Sequence, residues 1–90
     1  MKLYLIEFKT SAAKELKRLP RAVQIKIFDG LRLLASDPFS LLLPIRKMEG
    51  RSNENRFRLR VGQYRVIYEV QKEKVVIFVI RVGHRKDVYR

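Results

Sequence analysis

The arginines of residues 56–65 alternate with apolar residues in a pattern that can place several guanidinium groups on one surface. The segment reads Arg56-Phe57-Arg58-Leu59-Arg60-Val61, then Gly62-Gln63, then Tyr64-Arg65-Val66-Ile67-Tyr68. Successive side chains of a strand point to opposite faces, so the apolar residues can enter a core while Arg56, Arg58 and Arg60 line the other surface. The pattern therefore predicts a β-hairpin with one cationic face.

The predicted turn of this hairpin brings two arginines together. Glycine in the first position favours a two-residue turn at Gly62-Gln63, and that register sets Arg60 directly opposite Arg65. Like charges that face each other across a strand pair destabilise it by about 0.2 to 1 kcal/mol. An anion between the two guanidinium groups would remove this cost, and phosphate is the first candidate because it accepts paired hydrogen bonds from arginine.

If the phosphate belongs to RNA, as the family resemblance described below implies, the same arginines could take part in its cleavage. RNA carries its own nucleophile, the 2′-hydroxyl, so attack on the adjacent phosphate needs neither a metal nor a protein nucleophile. Arg65, with Arg60 or Arg85, could stabilise the negative charge that builds on the phosphorus oxygens. A base and an acid are still required. His84 is the one side chain whose unperturbed pKa lies near neutrality, and Tyr89 or protonated His84 could supply the acid.

Less specific interpretations of the same residues stay open. Arg56 could pair with Glu69 as an ordinary surface ion pair. His84 could be an incidental polar residue after Gly83. Tyr64 and Tyr68 share the face of Val66 and are therefore predicted to lie in the core.

Composition restricts the other kinds of chemistry. The chain has 90 residues, a formal net charge of +12, no cysteine, one histidine and nine carboxylates. Without cysteine there are no disulfides or thiolate sites, and the scattered carboxylates argue against a protein-held metal. A basic surface of this strength indicates an anionic partner, either nucleic acid or an acidic protein. Solubility alone is the alternative explanation of the charge.

The length predicts one small domain over residues 1–90. The longest uncharged run, Pro38 to Ile45, is far shorter than the roughly 20 apolar residues that a membrane span needs. The N-terminus lacks a signal-peptide pattern. We therefore expect a cytoplasmic protein that does not bind membranes.

The first forty residues predict a strand followed by a helical hairpin. Leu3–Phe8 is apolar enough for a strand that is buried on both faces. Apolar residues at spacings of three and four then predict a helix that stops at Pro20 and a second helix that runs to Asp37-Pro38. Gly30 inside the second helix costs about 1 kcal/mol relative to alanine. Either that helix is locally weak or something packs closely against Gly30.

The remaining residues complete an α+β fold. Residues 39–55 show no clear element, and Leu41, Leu42 and Leu43 are interpreted as a loop that covers the core. Val75–Val82 is apolar on both faces and predicts a central strand. The order of strand, two helices and three-strand meander predicts a small antiparallel sheet with the helices packed on one face and an open arginine face on the other.

Apolar residues are expected beside the arginines on the open face. Continuing the register through the second turn places Phe78 and Ile80 there, near Ile67. This mixture suits nucleotides, which offer phosphates and stackable bases together. It suits an amphipathic partner helix equally well.

Nearly the whole chain resembles the RelE/ParE toxin superfamily. The specific parts are the strand Tyr64-Arg65-Val66-Ile67-Tyr68 and the ending Val82-Gly83-His84-Arg85-Lys86-Asp87-Val88-Tyr89. In the RelE branch, the resemblance implies a toxin of a type II toxin-antitoxin system, a ribosome-dependent endoribonuclease (mRNA interferase) that a co-expressed antitoxin holds inactive. The ParE branch implies the alternative, a toxin that inhibits DNA gyrase without cleaving RNA. An inactive RNA- or antitoxin-binding module is a third interpretation.

The resemblance also implies roles for single residues. Arg65 corresponds to the phosphate-stabilising arginine, Arg85 to a second arginine and Tyr89 to a terminal tyrosine. Arg56 and Arg58 stand where the family often has lysine, and a guanidinium keeps its proton, so they can orient RNA but are poor bases. The predicted set is catalytic Arg65, Arg85, Tyr89 and His84, and RNA-binding Arg56, Arg58, Arg60, Arg81 and Lys86, with no metal or cofactor.

Two partners are expected. The first is messenger RNA on the ribosome. The second is a cognate antitoxin, expected to be small and acidic, because a +12 chain with apolar residues among its arginines should bind an acidic, amphipathic segment. Such a segment would exclude RNA from the arginine face.

Overall fold

The computed structural model describes residues 3–50 and 55–84. Within them a five-stranded sheet has the strand order β1-β5-β4-β3-β2, and β1 runs parallel to β5 while the other neighbours are antiparallel. The α+β architecture is confirmed. The elements in chain order are β1 (Leu5–Phe8), α1 (Thr10–Lys17), α2 (Arg21–Ser36), β2 (Ile45–Lys47), β3 (Arg56–Val61), β4 (Tyr64–Gln71) and β5 (Val76–His84).

The sheet differs from the predicted one in two respects. It is mixed rather than wholly antiparallel, because the two helices between β1 and β5 return the chain to a parallel neighbour. It also has an extra strand, β2, in a segment for which no element was predicted. This three-residue strand is held by pairing with β3: Ile45 lies opposite Leu59, and the Arg60 N–H donates to the Pro44 carbonyl at 3.0 Å. Three residues are too few for a periodic sequence signal.

Strand β1 is covered on one face only, so the expectation that both of its faces are buried was wrong. Leu3 and Leu5 are 69% and 66% exposed, whereas Ile6 and Phe8 pack against the core. The predicted covering loop was wrong for two of its three leucines. Leu43 packs against the core, but Leu41 and Leu42 lie in solvent. A run of apolar residues does not by itself reveal which of them find a partner.

The arginine hairpin forms in the predicted register. Leu59 lies opposite Val66, Arg60 lies opposite Arg65, and Gly62 has a positive φ of 59°. The inward residues of the sheet and the buried faces of the helices form the core: Ala12, Leu16, Ile27, Leu31, Leu34, Leu59, Val66, Tyr68, Val70, Ile77, Val79 and Val82. The helices therefore cover one face, and the alternate residues of β3 and β4 point to the other. None of the described helices is long and apolar enough to cross a membrane.

Close packing explains the glycine inside α2. A Cβ atom at Gly30 would lie 3.0 Å from Cδ2 of Leu59, and Leu59 is buried in the core. Of the two interpretations offered by the sequence, the structure supports close approach of helix and strand. Glycine thus lets α2 pack directly on β3 and keeps the hairpin in place.

We expect Gly30→Ala to lower the free energy of unfolding by about 1 kcal/mol, since overpacking costs about 1 to 3 kcal/mol and better helix propensity returns about 1 kcal/mol. Urea denaturation measures the change. The control is Gly30→Ala in a Leu59→Val background, where the shorter side chain makes room. In that background the substitution should be neutral or stabilising, and an equal loss in both backgrounds would contradict the packing explanation.

Candidate functional site

Four arginines line a groove on the sheet face away from the helices. The groove has a volume of about 480 Å³ and is lined by Pro44, Ile45, Arg46, Arg58, Arg60 and Arg65. We call these six residues and the space between them the arginine groove. Strand pairing builds it: Arg58 and Arg60 alternate along β3, Arg65 lies on β4 and Arg46 lies on β2. Alternation places these side chains on one face while Leu59 and Val66 enter the core.

The groove holds two pairs of facing like charges. Arg60 lies opposite Arg65, as the turn predicted, and Arg46 lies opposite Arg58. The described lining of the groove itself consists of these four arginines, Pro44 and Ile45, and Glu49 lies beside Arg46 and Arg58 at the neighbouring surface. Like charges across a strand pair are destabilising, and paired guanidinium donors match the oxygens of a phosphate. The arrangement is therefore suited to an oxyanion with several acceptor oxygens.

The Arg65 side chain is oriented by its own strand. Its Nη1 donates a hydrogen bond to the Tyr64 carbonyl at 3.2 Å, and the contact is partly buried. A guanidinium has five N–H donors, so this bond fixes the direction of the group and leaves donors for a ligand. Arg65 is thus held at the groove before any ligand binds.

Arg56 is placed apart from the other hairpin arginines. Its Nε lies 3.6 Å from a Glu69 carboxylate oxygen, the residue that faces it across the strand pair. Arg56 does not line the arginine groove. The pair is partly buried, and the Arg56 Nε makes no hydrogen bond among the described residues, so the pair sets the direction of Arg56 more than it adds to stability.

Arg81 joins β5 to α1. Its Nη2 lies 3.4 Å from a Glu15 carboxylate oxygen, and the other oxygen of Glu15 accepts a hydrogen bond from the Val82 N–H at 3.0 Å. Strand β1 ends at Phe8, opposite Val79, so the next part of β5 has no neighbouring strand on that side. Glu15 supplies the acceptor there. Nothing in the sequence pointed to this contact, which joins residues 67 positions apart.

His84 lies on the opposite face of the sheet from the arginine groove. It pairs with Tyr64, and Arg65 pairs with Gly83. The His84 and Tyr64 rings make an edge-to-face contact with centroids 5.6 Å apart. Since neighbouring residues of a strand point to opposite faces, the described structure does not bring the imidazole to Arg65.

A β-bulge causes this placement. The register of β4 and β5 shifts between Ile67 and Tyr68, where Tyr68 pairs with Val79 and Ile67 pairs with Arg81, so that Ile80 has no partner. One extra residue inverts the alternation of the rest of the strand. Phe78 keeps its expected place on the open face opposite Glu69, whereas the residues after the bulge exchange faces.

The remaining predicted site residues belong to the C-terminal segment, and Tyr68 was predicted to lie in the core rather than in the site. Arg85, Lys86 and Tyr89 lie outside the described residues. Tyr68 lies in the core, and burial raises its pKa well above the usual range, so its hydroxyl stays protonated and takes no part in proton transfer near neutral pH.

Arg46 is the groove residue that sequence reasoning missed. It reaches the groove because β2 adds to the edge of β3. The one available signal was a cationic residue two positions after Pro44, since proline favours strand edges and strand starts. That signal does not reveal which strand the segment joins.

Comparisons with known proteins show which proteins the chain is similar to. The family model of the ParE toxin of the type II toxin-antitoxin system, parDE, matches residues 6–89. The chain is similar to Toxin RelG of Mycobacterium tuberculosis, with 30% identity over 97% of each chain. It is also similar to the mRNA interferase toxin RelE of Escherichia coli K12, with 33% identity over 96% of this chain and 90% of the relative.

A solved complex has the same fold. The RelB-RelE antitoxin-toxin complex from Methanococcus jannaschii contains a chain that superposes with a TM-score of 0.75 and 31% identity, covering 92% of this chain and 94% of that one. The resemblance thus extends through sheet and helices together.

Proposed function

This chain belongs to the ParE toxin family of type II toxin-antitoxin systems, and we propose that it is a ribosome-dependent, metal-free endoribonuclease that cleaves messenger RNA. The observation that carries the proposal is the arginine groove, in which Arg60 faces Arg65 and Arg46 faces Arg58. The RelE relative named an mRNA interferase supports it as well. Messenger RNA on ribosomes is a cytoplasmic target.

In the proposed reaction the RNA supplies the nucleophile. The 2′-oxygen attacks the adjacent phosphorus, the bond from phosphorus to the 5′-oxygen breaks, and the products are a 2′,3′-cyclic phosphate and a 5′-hydroxyl end. Arg65 and Arg60 donate to the non-bridging oxygens while negative charge builds on them. Arg58 and Arg46 hold the neighbouring phosphate or the strand that leads into the groove. Arg56 and Arg81, which contact the carboxylates of Glu69 and Glu15, would make the outer contacts to the RNA backbone.

Proton transfer is assigned outside the groove arginines. A guanidinium stays protonated at physiological pH and is a poor base. The 2′-hydroxyl must lose a proton and the leaving oxygen must gain one. We propose that Tyr89, together with groups of the ribosome, transfers these protons, and that Arg85 donates hydrogen bonds to the phosphate. Lys86 would contact the RNA backbone.

His84 is expected to have a smaller role than the sequence alone suggested. Because its ring contacts Tyr64 and lies across the sheet from Arg65, we expect His84→Ala to slow cleavage on programmed ribosomes less than about tenfold. The pH–rate profile should keep its shape. A loss of about 100-fold or more, together with loss of a limb near roughly pH 6 to 7, would instead make His84 the titrating group.

The partner that silences the toxin is proposed to be a small, acidic antitoxin. The solved antitoxin-toxin complex of the related chain supports an antitoxin partner. The net charge of +12 and the groove arginines favour an acidic segment. Seated over the arginine groove, such a segment would exclude the RNA phosphates by occupying the same donors.

Expression in growing cells tests the proposal. The wild-type chain and an Arg65→Ala variant are induced, and the 5′ ends of messenger RNA are mapped across the transcriptome. New 5′ ends inside coding regions that depend on Arg65 and on translation are the expected result. Intact messengers with blocked DNA replication would favour gyrase inhibition instead, the alternative that the ParE label of the family raises.

A further inference from the structure

Two adjacent leucines project from the loop between α2 and β2. Leu41 is 100% exposed and Leu42 is 95% exposed. Single exposed apolar residues are common on protein surfaces. Two neighbouring leucines that contact almost nothing else are a more specific feature, because together they present a compact apolar projection.

The loop that carries them is anchored on both sides. Before the leucines, the Ser40 N–H donates to the Asp37 carbonyl at 3.2 Å, and the Ser40 hydroxyl accepts the Leu42 N–H at 3.1 Å. After them, Leu43 packs against the core, and its carbonyl accepts the Ile45 N–H at 2.8 Å. The residues on both sides thus fix the backbone of the two leucines. Binding of a partner would therefore cost little conformational entropy in this loop.

The projection lies close in sequence to the arginine groove. Pro44 and Ile45, two residues that line the groove, follow Leu42 by two and three positions. Three residues of chain span at most about 10 Å, which is close to two turns of an α-helix, about 11 Å. One partner segment can therefore reach both the leucines and the groove.

We propose that Leu41 and Leu42 are an apolar anchor for the antitoxin. The partner segment would be amphipathic, with an apolar pocket or stripe over the two leucines and acidic side chains one to two turns away over the arginine groove. RNA is disfavoured as the occupant, because proteins hold RNA through cations, hydrogen bonds and stacked rings, which leucine does not offer. The proposal rests on the antitoxin of the proposed function and does not require RNA cleavage.

The test uses the double variant Leu41→Ser, Leu42→Ser and the full-length cognate antitoxin. We expect the dissociation constant of the complex to rise about 30-fold or more, as for loss of a central apolar anchor, and the increase to appear in the dissociation rate. The salt dependence of binding should stay unchanged, because no charge is removed. The matched control is Leu33→Ser, a 54% exposed leucine on α2, which should leave the affinity unchanged.

Cleavage and oligomeric state decide between the occupants. The double variant should cleave messenger RNA on ribosomes within about twofold of wild type, since the groove is intact. Unchanged antitoxin affinity would overturn the proposal. If cleavage fell instead, the leucines would contact the ribosome. If the wild-type chain formed a dimer and the double variant did not, the leucines would contact a second copy of this chain. If the wild-type chain cleaves no RNA, the proposal that it is an endoribonuclease is wrong. The affinities of wild type and double variant for the antitoxin still test whether the leucines bind it. Leu42→Lys provides the same comparison should the double variant not fold.

Discussion

Arg65→Ala is expected to slow messenger RNA cleavage at least 100-fold at saturating ribosome concentration. Arg65 is held at the groove by its hydrogen bond to the Tyr64 carbonyl and faces Arg60 across the strand pair. Removing one positioned donor to a developing oxyanion typically costs about 100- to 1,000-fold. Because a guanidinium does not titrate in the accessible range, the loss should be the same across the pH profile. Single-turnover cleavage on programmed ribosomes measures it.

Two further variants separate charge from geometry. Arg65→Lys keeps the positive charge but loses the planar fork that donates two parallel hydrogen bonds. We expect it to recover part of the lost rate and to stay below wild type. Arg32→Ala removes an arginine whose side chain is 82% exposed on α2, and it should leave the rate unchanged. Equal rates for Arg65→Ala and Arg32→Ala would contradict a role for Arg65 in the transition state.

The hairpin could be predicted from the sequence because two independent constraints agree there. Gly62-Gln63 fixes the turn, and alternation fixes which side chains are buried. A slip of one residue would have buried Arg58 and Arg60 and exposed Leu59, so one register was far more favourable than its neighbours. The pairing of Arg60 with Arg65 follows from this local information alone, and the structure has it.

The rest of the site depends on contacts between distant residues. Strand β2 brings Arg46 to the groove through pairing with β3, although its three residues carry no period of their own. The bulge at Ile80 decides on which face His84 lies, and simple alternation from Phe78 would have placed the imidazole on the arginine side. Bulges are set by the twist and packing of the whole sheet. A single sequence shows neither feature.

The groove as a whole should dominate the affinity for single-stranded RNA. If four arginines each neutralise one phosphate, the logarithm of the binding constant should fall with the logarithm of salt concentration with a slope of about −3. Binding would then weaken about 50-fold between 50 and 200 mM salt. A short oligoribonucleotide with a 2′-deoxy sugar at each position that could be cleaved allows binding to be measured without reaction.

The decisive comparison is between a variant that loses two arginines of the groove and a control variant that loses two arginines of α2. Arg46→Gln with Arg58→Gln should lower the slope to about −1.4 and weaken binding at low salt about 100-fold or more, since hydrogen bonds to charged groups contribute about 1.5 to 3 kcal/mol each. Arg21→Gln with Arg32→Gln, both on the exposed side of α2, gives the same net charge and should keep the wild-type slope. If both pairs changed the slope equally, RNA would be attracted by the net charge alone and the groove would not be its binding site. If the slope changes only in the variant that lacks Arg46 and Arg58, the RNA phosphates lie against β2 and β3. RNA bound in this position has a phosphate between Arg60 and Arg65.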